Sequence, residues 1–269
     1  MSIELVACQT LALQRQGAVL HVTLNRPEVR NAMSLAMVRE LHAVLGQCEM
    51  SSSTRVLVLR GAGGHFCAGA DLKDMLQSRA QGADDTQALM KTNAAFGELC
   101  VAFANTPLAV VAVLEGTVMG GGLGLACVAD VALAGTSAQF RLPETSLGLV
   151  PAQIAPFLVE RLGYAEAKRL AVTGGRLDAQ QALDLRLVHA VHAAGALASA
   201  LDAVLEELLQ CAPGAVAATK ALMAKARFAA PATLVQEAAA VFAQAALGHE
   251  GSEGTLAFLQ KRKPSWVPQ

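Results

Sequence analysis

Two glycine-rich runs and one isolated glutamate are the residues in this sequence whose types and spacing can do chemistry. Gly61, Gly63, Gly64 and Gly69 mark the first run, and Gly116, Gly120, Gly121, Gly122 and Gly124 mark the second. Each run follows an apolar stretch of strand character and precedes a helical one. Glycine permits positive φ and lets the backbone approach a ligand with no Cβ in the way. The unpaired N–H groups at the start of the next helix favour negative charge. Two such loops together can aim two N–H donors at one oxygen, forming an oxyanion hole that stabilises charge developing during a reaction. For one loop alone, a tight turn with close helix packing is the better explanation; a pair, each after an apolar strand, shifts the balance toward a site. Glu144 stands in FRLPETSLGL directly after Pro143, which puts it in a loop or at a helix start among apolar residues. Desolvation raises the pKa of such a carboxylate and suits it to accept protons at neutral pH. A helix-start carboxylate complementing the dipole fits the same pattern, and the sequence leaves both readings open.

Other chemistries are weaker. Gly122-Leu123-Gly124 followed by Cys127 gives G-x-G-x-x-C, which lacks the third small residue of a dinucleotide fingerprint and lies in mid-chain. The six cysteines, at 8, 48, 67, 100, 127 and 211, form no CxxC pair and fit no zinc spacing. Reduced thiols in an intracellular, cytoplasmic protein are the simplest expectation, with each cysteine a small core residue. Cys67 sits in the first glycine loop with only His65 beside it as an activating base, so a nucleophile there is a minor reading.

The whole chain narrows the function classes further. Its 269 residues suffice for one large α/β domain, or a domain with a helical appendage. A hydrophobic fraction of 54% and a charged fraction of 16% exclude a disordered chain, and 4% aromatic residues leave core packing to aliphatic side chains. A net charge of −1 provides no global field for nucleic acid, so any anionic ligand needs a local patch. The opening MSIELVACQT has neither a basic n-region nor a long apolar h-region, and no signal peptide is expected. The apolar stretch from Leu108 to Ala134 is interrupted by Glu115, Asp130 and glycines, so no membrane span is expected either.

The elements that must position the loops can be read by periodicity. AVLHVTL, residues 18–24, reads as a strand followed by the turn Asn25-Arg26-Pro27. His21 within it is better explained as a partly buried sheet residue than as a catalytic one. After Asn31, Met37, Leu41, Val44, Leu45 and Cys48 recur at helical spacing. Arg55 and Arg60 bracket VLVL, the run expected of a strand covered on both faces. The loop GAGGHFCAGADLKDM fills 61–75, and a helix is predicted over about 86–105. Pro107 opens a buried strand, LAVVAVLEG, then come GGG at 120–122, a short helix from near Leu123, and a strand at DVALAG. Alternation of this kind through about residue 190 predicts an α/β core with largely parallel strands. From Leu197 the chain is alanine-rich and helical, with breaks near Pro213, Pro231 and Gly248. The division is thus a core over 1–196 and a helical region over 197–269. That region cannot bury its apolar surface alone and should pack on the core, on another subunit, or on both.

Several segments in order resemble the crotonase superfamily, the enoyl-CoA hydratases and isomerases. AVLEGTVMGGGLGLACVADVALAGTSAQFRLPETSLGLVP is similar to the family's signature, HFCAGADLKDM to its A-G-A-D-[LI]-K loop, and HVTLNRPEVRNAMS to its first strand and turn. RLAVTGGRLDAQQALDLRLVHAV and EGTLAFLQKRKPSW resemble the later segments, so the likeness runs from about Gly17 to Trp266. The resemblance implies a spiral of ββα turns with a C-terminal helical trimerisation region, as homotrimers or hexamers made of two trimers. It implies an acyl-CoA thioester substrate and no metal or redox cofactor, coenzyme A being part of the substrate. Carried over by position, the two oxyanion donors are the N–H groups of Ala70 and Gly121, and the catalytic glutamate of the family's P-E motif is Glu144. Coenzyme A is expected along Arg26 and the segment Ala68, Ala70, Asp71, Leu72 and Lys73. Phe258 is expected at the adenine end, with Lys261 of the Lys261-Arg262-Lys263 run on phosphate, in some relatives from a neighbouring subunit. A terminal basic run of this kind is also often only a solvated tip.

One departure bears on the reaction. Hydratases of the family read GGG-x-E at the second loop, and here Gly124 takes the place of that first glutamate. The usual P-G-x-G-G-T is replaced by Pro151-Ala152-Gln153-Ile154-Ala155-Pro156. Three reactions remain open with one carboxylate: hydration by Glu144 alone, Δ3,Δ2-enoyl-CoA isomerisation with Glu144 as a proton shuttle, or another crotonase-type reaction such as decarboxylation. The pairing of GGG-x-G with the loop after Glu144 resembles bacterial hydratases of 3-methylglutaconyl-CoA and isohexenylglutaconyl-CoA, which serve leucine and acyclic terpene breakdown, and favours hydration. A glutaconyl substrate carries a second carboxylate and needs a cationic or amide partner; Arg141 and Gln153 are near in sequence. Glu115 and Asp130 are the nearest substitutes for the missing acid, though a strand-end carboxylate is the plainer role for each. A non-catalytic acyl-CoA-binding protein is the alternative from another class.

Overall fold

LALQRQ and VLHVTL form the first hairpin. In this computed structural model, which describes residues 6–73 and 85–268, β1 (Leu11–Gln16) pairs antiparallel with β2 (Val19–Leu24). Gly17, at φ +58°, makes the turn between them. Burial alternates along β1, so one face of this edge strand meets solvent.

The rest of the large sheet is parallel. β3 (Val56–Gly61), β4 (Ala109–Leu114), β6 (Val131–Gly135) and β9 (Ala190–His192) follow β2 in the order β1-β2-β3-β4-β6-β9. A small second sheet holds β5 (Thr117–Met119), β7 (Gln139–Arg141) and β8 (Arg176–Asp178). The plan repeats: a strand in the large sheet, a shorter extended segment beside or within the small one, then a helix. β4 and β5 lead to α3, and β6 and β7 lead to a 3-10 turn and two helices. This is the α/β core with largely parallel strands that the pattern predicts, in the spiral of ββα turns that the resemblance implies.

The helices are α1 (Leu35–Glu49), α2 (Asp85–Asn105), α3 (Gly121–Val128), α4 (Ala155–Leu162), α5 (Tyr164–Thr173) and α6 (Ala179–Asp184). The helical region then adds α7 (Leu197–Gln210), α8 (Pro213–Ala226), α9 (Pro231–Leu247) and α10 (His249–Leu259). Ser34 caps α1 by accepting from the Met37 N–H, and the five apolar residues read at helical spacing are all buried. Leu57 and Leu59 of β3 join the core under α1, α2 and α3. Val56 and Val58 face the other way, into a second cluster covered by Leu197, Leu201 and Leu205 of α7. Both faces of VLVL are therefore dry, which is why its sequence does not alternate.

α7 thus packs on the core. α9 buries none of its residues, and Met223, Val235, Phe242 and Leu247 on α8 and α9 are exposed. Arg55 ties the chain end to the sheet by donating to the carbonyls of Leu209, Cys211 and Trp266. Lys220 of α8 pairs with Asp130 at 2.6 Å and donates to the Leu108 carbonyl. No helix among the described residues is long and apolar enough to cross a membrane.

Candidate functional site

The two glycine loops meet at the C-terminal ends of β2, β3 and β4. After β3 the chain runs extended beside β5: Cys67 N–H donates to the Thr117 carbonyl, and Met119 N–H to the Cys67 carbonyl, both at 2.9 Å. On its other side Met33 N–H donates to the Gly69 carbonyl at 2.7 Å, and Asp71 N–H donates to the Met33 carbonyl at 3.0 Å. Successive N–H groups of an extended segment point to opposite sides. The N–H of Ala70, between Gly69 and Asp71, therefore points away from Met33. Gly121 opens α3, where a first-turn N–H has no intrahelical acceptor.

The loops also touch each other and Glu144. Gly69 lies at φ +91°, and a Cβ on it would sit 3.2 Å from the Met119 carbonyl oxygen. Gly120 lies at φ +49°, and its Cβ would sit 2.8 Å from Glu144 Oε1 and 3.4 Å from Gly69 Cα. Glycine is thus required at Gly120 by conformation and by the carboxylate against it.

Glu144 begins a 3-10 turn, Glu144–Leu147. Its carbonyl accepts from the Leu149 N–H at 2.9 Å, while the Ser146 hydroxyl donates to the Pro143 carbonyl at 2.6 Å. A four-residue turn supplies little dipole, which removes the ordinary explanation of the carboxylate. Glu144 Oε2 is buried with no hydrogen-bond partner among the described residues. Burial pushes its pKa up, opposed only by the residue's own backbone N–H. The site therefore pairs a carboxylate of raised proton affinity with backbone donors on facing loops, an arrangement suited to moving a proton next to a developing oxyanion.

A tightly bonded turn holds the first loop. Asn31, buried at φ +57°, donates from Nδ2 to the carbonyls of Ala62 and His65 at 2.9 and 2.7 Å and accepts from the Arg26 N–H. Arg26 pairs with Asp71 at 2.9 Å and donates to the Ala32 carbonyl at 2.6 Å. Arg26, Ala68, Ala70 and Asp71 are thus brought together, with exposed Leu72 and Lys73 following them. Asp74 and Met75, which close the quoted motif, lie outside the described residues. Phe258 and Lys261 are elsewhere. Phe258 is 84% exposed at the end of α10. The turn after it is held through Glu253, Arg262 and Ser265 to Trp266, whose indole donates to the Gln210 carbonyl. That cluster places Trp266 beside Arg55, which precedes β3.

The remaining sequence candidates are also located. Gly122 and Gly124 lie inside α3, and Gly122 packs on Cys67, so the G-x-G run is helix packing and not a dinucleotide loop. Asp130 accepts from the Val110 N–H and pairs with Lys220 at the far end of the sheet, and Glu115 lies against Gly135. Neither supplies a second acid beside Glu144. The Arg141 guanidinium reaches toward Ser146 Oγ at 3.5 Å, and its Nε is buried without a partner among the described residues. Among those residues no three His, Cys, Asp or Glu side chains gather as a metal site. Burial pushes the Cys67 and Cys127 thiols up to about 12, so neither forms a nucleophilic thiolate. Alkylation of the native protein is expected to label exposed Cys211 and spare Cys48, Cys67, Cys100 and Cys127. Peptide mass mapping reads this out, and fast labelling of Cys67 would reverse its assignment as an inert core residue.

Phe96 was not foreseen. Its ring edge lies where a Cβ on Gly121 would be 3.4 Å away and one on Gly124 3.1 Å, with Ile154 3.3 Å from the latter. The space above Gly124 is therefore closed by apolar atoms. Phe96 lies within the predicted helix, but only tertiary packing reveals what its ring covers.

The chain as a whole is similar to known proteins. A family model described as enoyl-CoA hydratase/isomerase matches residues 14–269. The solved structure of Pseudomonas aeruginosa AtuE is 55% identical with a TM-score of 0.93, covering 97% of this chain and 100% of that one. An enoyl-CoA hydratase/isomerase from Marinobacter aquaeolei is 50% identical with a TM-score of 0.93, over 97% and 100% of the two chains. The 2,3-dehydroadipyl-CoA hydratase of Escherichia coli (strain K12) is 35% identical over 265 residues, 95% of this chain and 98% of that relative.

Proposed function

Because this chain belongs to the enoyl-CoA hydratase/isomerase family, we propose that it adds water across the 2,3-double bond of an enoyl-CoA thioester, with Glu144 as its single side-chain acid/base. The observation that carries this reading is the buried, partnerless Oε2 of Glu144 beside the junction of the two glycine loops. Glu144 takes a proton from water as the hydroxyl oxygen bonds to C3. The electron pair of the double bond moves toward the thioester, and the N–H groups of Ala70 and Gly121 hold the oxygen that becomes negative. The proton on Glu144 then passes to C2, which restores the carboxylate and completes the addition of one water. No step needs a carboxylate at position 124, where Phe96 and Ile154 close the space.

Arg26 and the Ala68–Lys73 segment take the coenzyme A, with no metal or redox cofactor taking part. Phe258 and Lys261 serve a neighbouring copy in a homotrimer or a pair of trimers. The exposed apolar residues of α8 and α9 support such an assembly. A 3-methylglutaconyl-CoA-like substrate is the favoured acyl group. In support, one relative is named for dehydroadipyl-CoA, an enoyl thioester that also ends in a carboxylate.

The protein should be incubated separately with crotonyl-CoA, a 3-enoyl-CoA and 3-methylglutaconyl-CoA, with products identified by mass and chromatography. A product heavier by one water, formed fastest from the glutaconyl thioester, is expected. Conversion of the 3-enoyl to the 2-enoyl thioester without water would make the enzyme an isomerase, a reaction one carboxylate can serve. Absence of turnover with all three would favour an acyl-CoA-binding protein.

A further inference from the structure

The small sheet sets two arginines face to face. Phe140 of β7 and Leu177 of β8 are buried, so Arg141 and Arg176 lie on the opposite face, the first half-buried and the second exposed. The two stand directly across the antiparallel ladder. The Gly120 N–H donates to the Arg141 carbonyl at 3.1 Å, and the Leu142 N–H donates to the Gly175 carbonyl at 3.2 Å. Arg141 thus turns its own backbone toward β5 and forms a non-hydrogen-bonded pair with Arg176. The Cα atoms of such a pair stand about 4.5 Å apart, and its side chains approach most closely. Like charges directly opposite each other repel. Nothing among the described residues relieves that repulsion. Neither guanidinium pairs with a carboxylate there. The acid on the same face, Asp178, caps α6 by accepting from the Gln181 N–H at 2.8 Å. Arg141 Nη2 has only the Ser146 oxygen, at 3.5 Å, and the Ser146 proton goes to the Pro143 carbonyl.

We propose that Arg141 and Arg176 together hold a small dianion of the phosphate or sulfate class, at a site separate from the acyl-CoA. Two fixed positive charges and two planar donor forks match a doubly charged tetrahedral oxyanion. A carboxylate offers half that charge and only two oxygens. The bound anion turns a repelling pair into a clamp across β7 and β8. That clamp adjoins the turn carrying Glu144: Ser146 belongs to the turn, and the Thr145 hydroxyl ties it to the Ala171 carbonyl of α5 at 2.8 Å, just before β8. The proposal does not depend on the acyl-CoA reading.

Thermal unfolding and calorimetry of the full-length protein test it, with inorganic phosphate compared against sodium chloride at equal ionic strength. Phosphate is expected to bind and to raise Tm where chloride does not, which separates binding from screening. Arg176 is exposed, so Arg176→Gln keeps the fold. In chloride this variant should melt at or above the wild-type Tm, because the repulsion is gone. Its phosphate affinity should fall about tenfold, the size of one charge-assisted hydrogen bond. Coenzyme A, which carries phosphates of its own, is the second probe. Phosphate binding undiminished by saturating coenzyme A is expected of a separate site, whereas displacement would assign the arginines to the coenzyme and overturn that separateness. A phosphate effect no larger than that of chloride, or equal phosphate affinity in Arg176→Gln, would overturn the proposal as a whole.

Discussion

Glu144→Gln is expected to lower turnover by roughly 10²- to 10⁴-fold, the usual contribution of a positioned acid/base, and to raise thermal stability at the same time. Burial raises the carboxyl's pKa in the folded protein above its value in the unfolded chain. The folded state therefore holds the proton more tightly. Its advantage is complete below the unfolded pKa and is lost as pH rises through the folded pKa. Above that point the wild-type protein bears a buried charge with an unpartnered oxygen, and the glutamine variant does not. Melting temperatures of the two proteins should converge at low pH and separate as pH rises, with the variant higher. The same shift predicts that kcat/KM falls toward acid earlier than an ordinary carboxylate would require. A variant less stable than wild type at pH 8 would show that Glu144 is a structural group with partners.

Gly61→Ala is expected to be the most destabilising single-methyl change near the site, by about 3 kcal/mol or more. The added Cβ would lie 1.9 Å from the His65 carbonyl oxygen, 2.5 Å from that of Phe66 and 2.7 Å from Phe66 Cα. All three atoms are backbone, so no rotamer change relieves the clash. The loop carrying Ala70 begins by folding back over Gly61, and making room displaces the donor with it. Gly46→Ala is the control. Gly46 lies inside α1 with nothing within 4 Å of its Cβ position. Replacing it should stabilise the protein by roughly 0.5–1 kcal/mol through helix propensity. Urea unfolding of both variants checks the pair, and a Gly61→Ala protein as stable as wild type would mean that the loop is soft.

Legibility in the sequence followed the range of the forces involved. The run VLVL and the spacing of Met37, Leu41, Val44, Leu45 and Cys48 are local patterns, and they became β3 and α1 at the expected places. Pro213, Pro231 and Gly248 punctuate the helical region where expected, because proline opens a helix at its first position. β1 was missed. Its alternation is carried by Gln14, Arg15 and Gln16, and only pairing with β2 makes a polar edge into a strand. β5, β7 and β8 have three residues each, too few for a period to show. The glycine loops and Glu144 stood out by composition. Their contact through Gly69 and Gly120 joins residues far apart in the chain, as does the cover that Phe96 places over Gly124.

The closed space above Gly124 works as a steric lock on that position. A Cβ there meets the Phe96 ring edge at 3.1 Å and Ile154 at 3.3 Å, so the first atom of any side chain already presses on its neighbours. A glutamate has further heavy atoms beyond its Cβ to place and would need Phe96 or Ile154 to shrink with it. One substitution therefore cannot install a second carboxylate here at low cost; two coordinated ones are required.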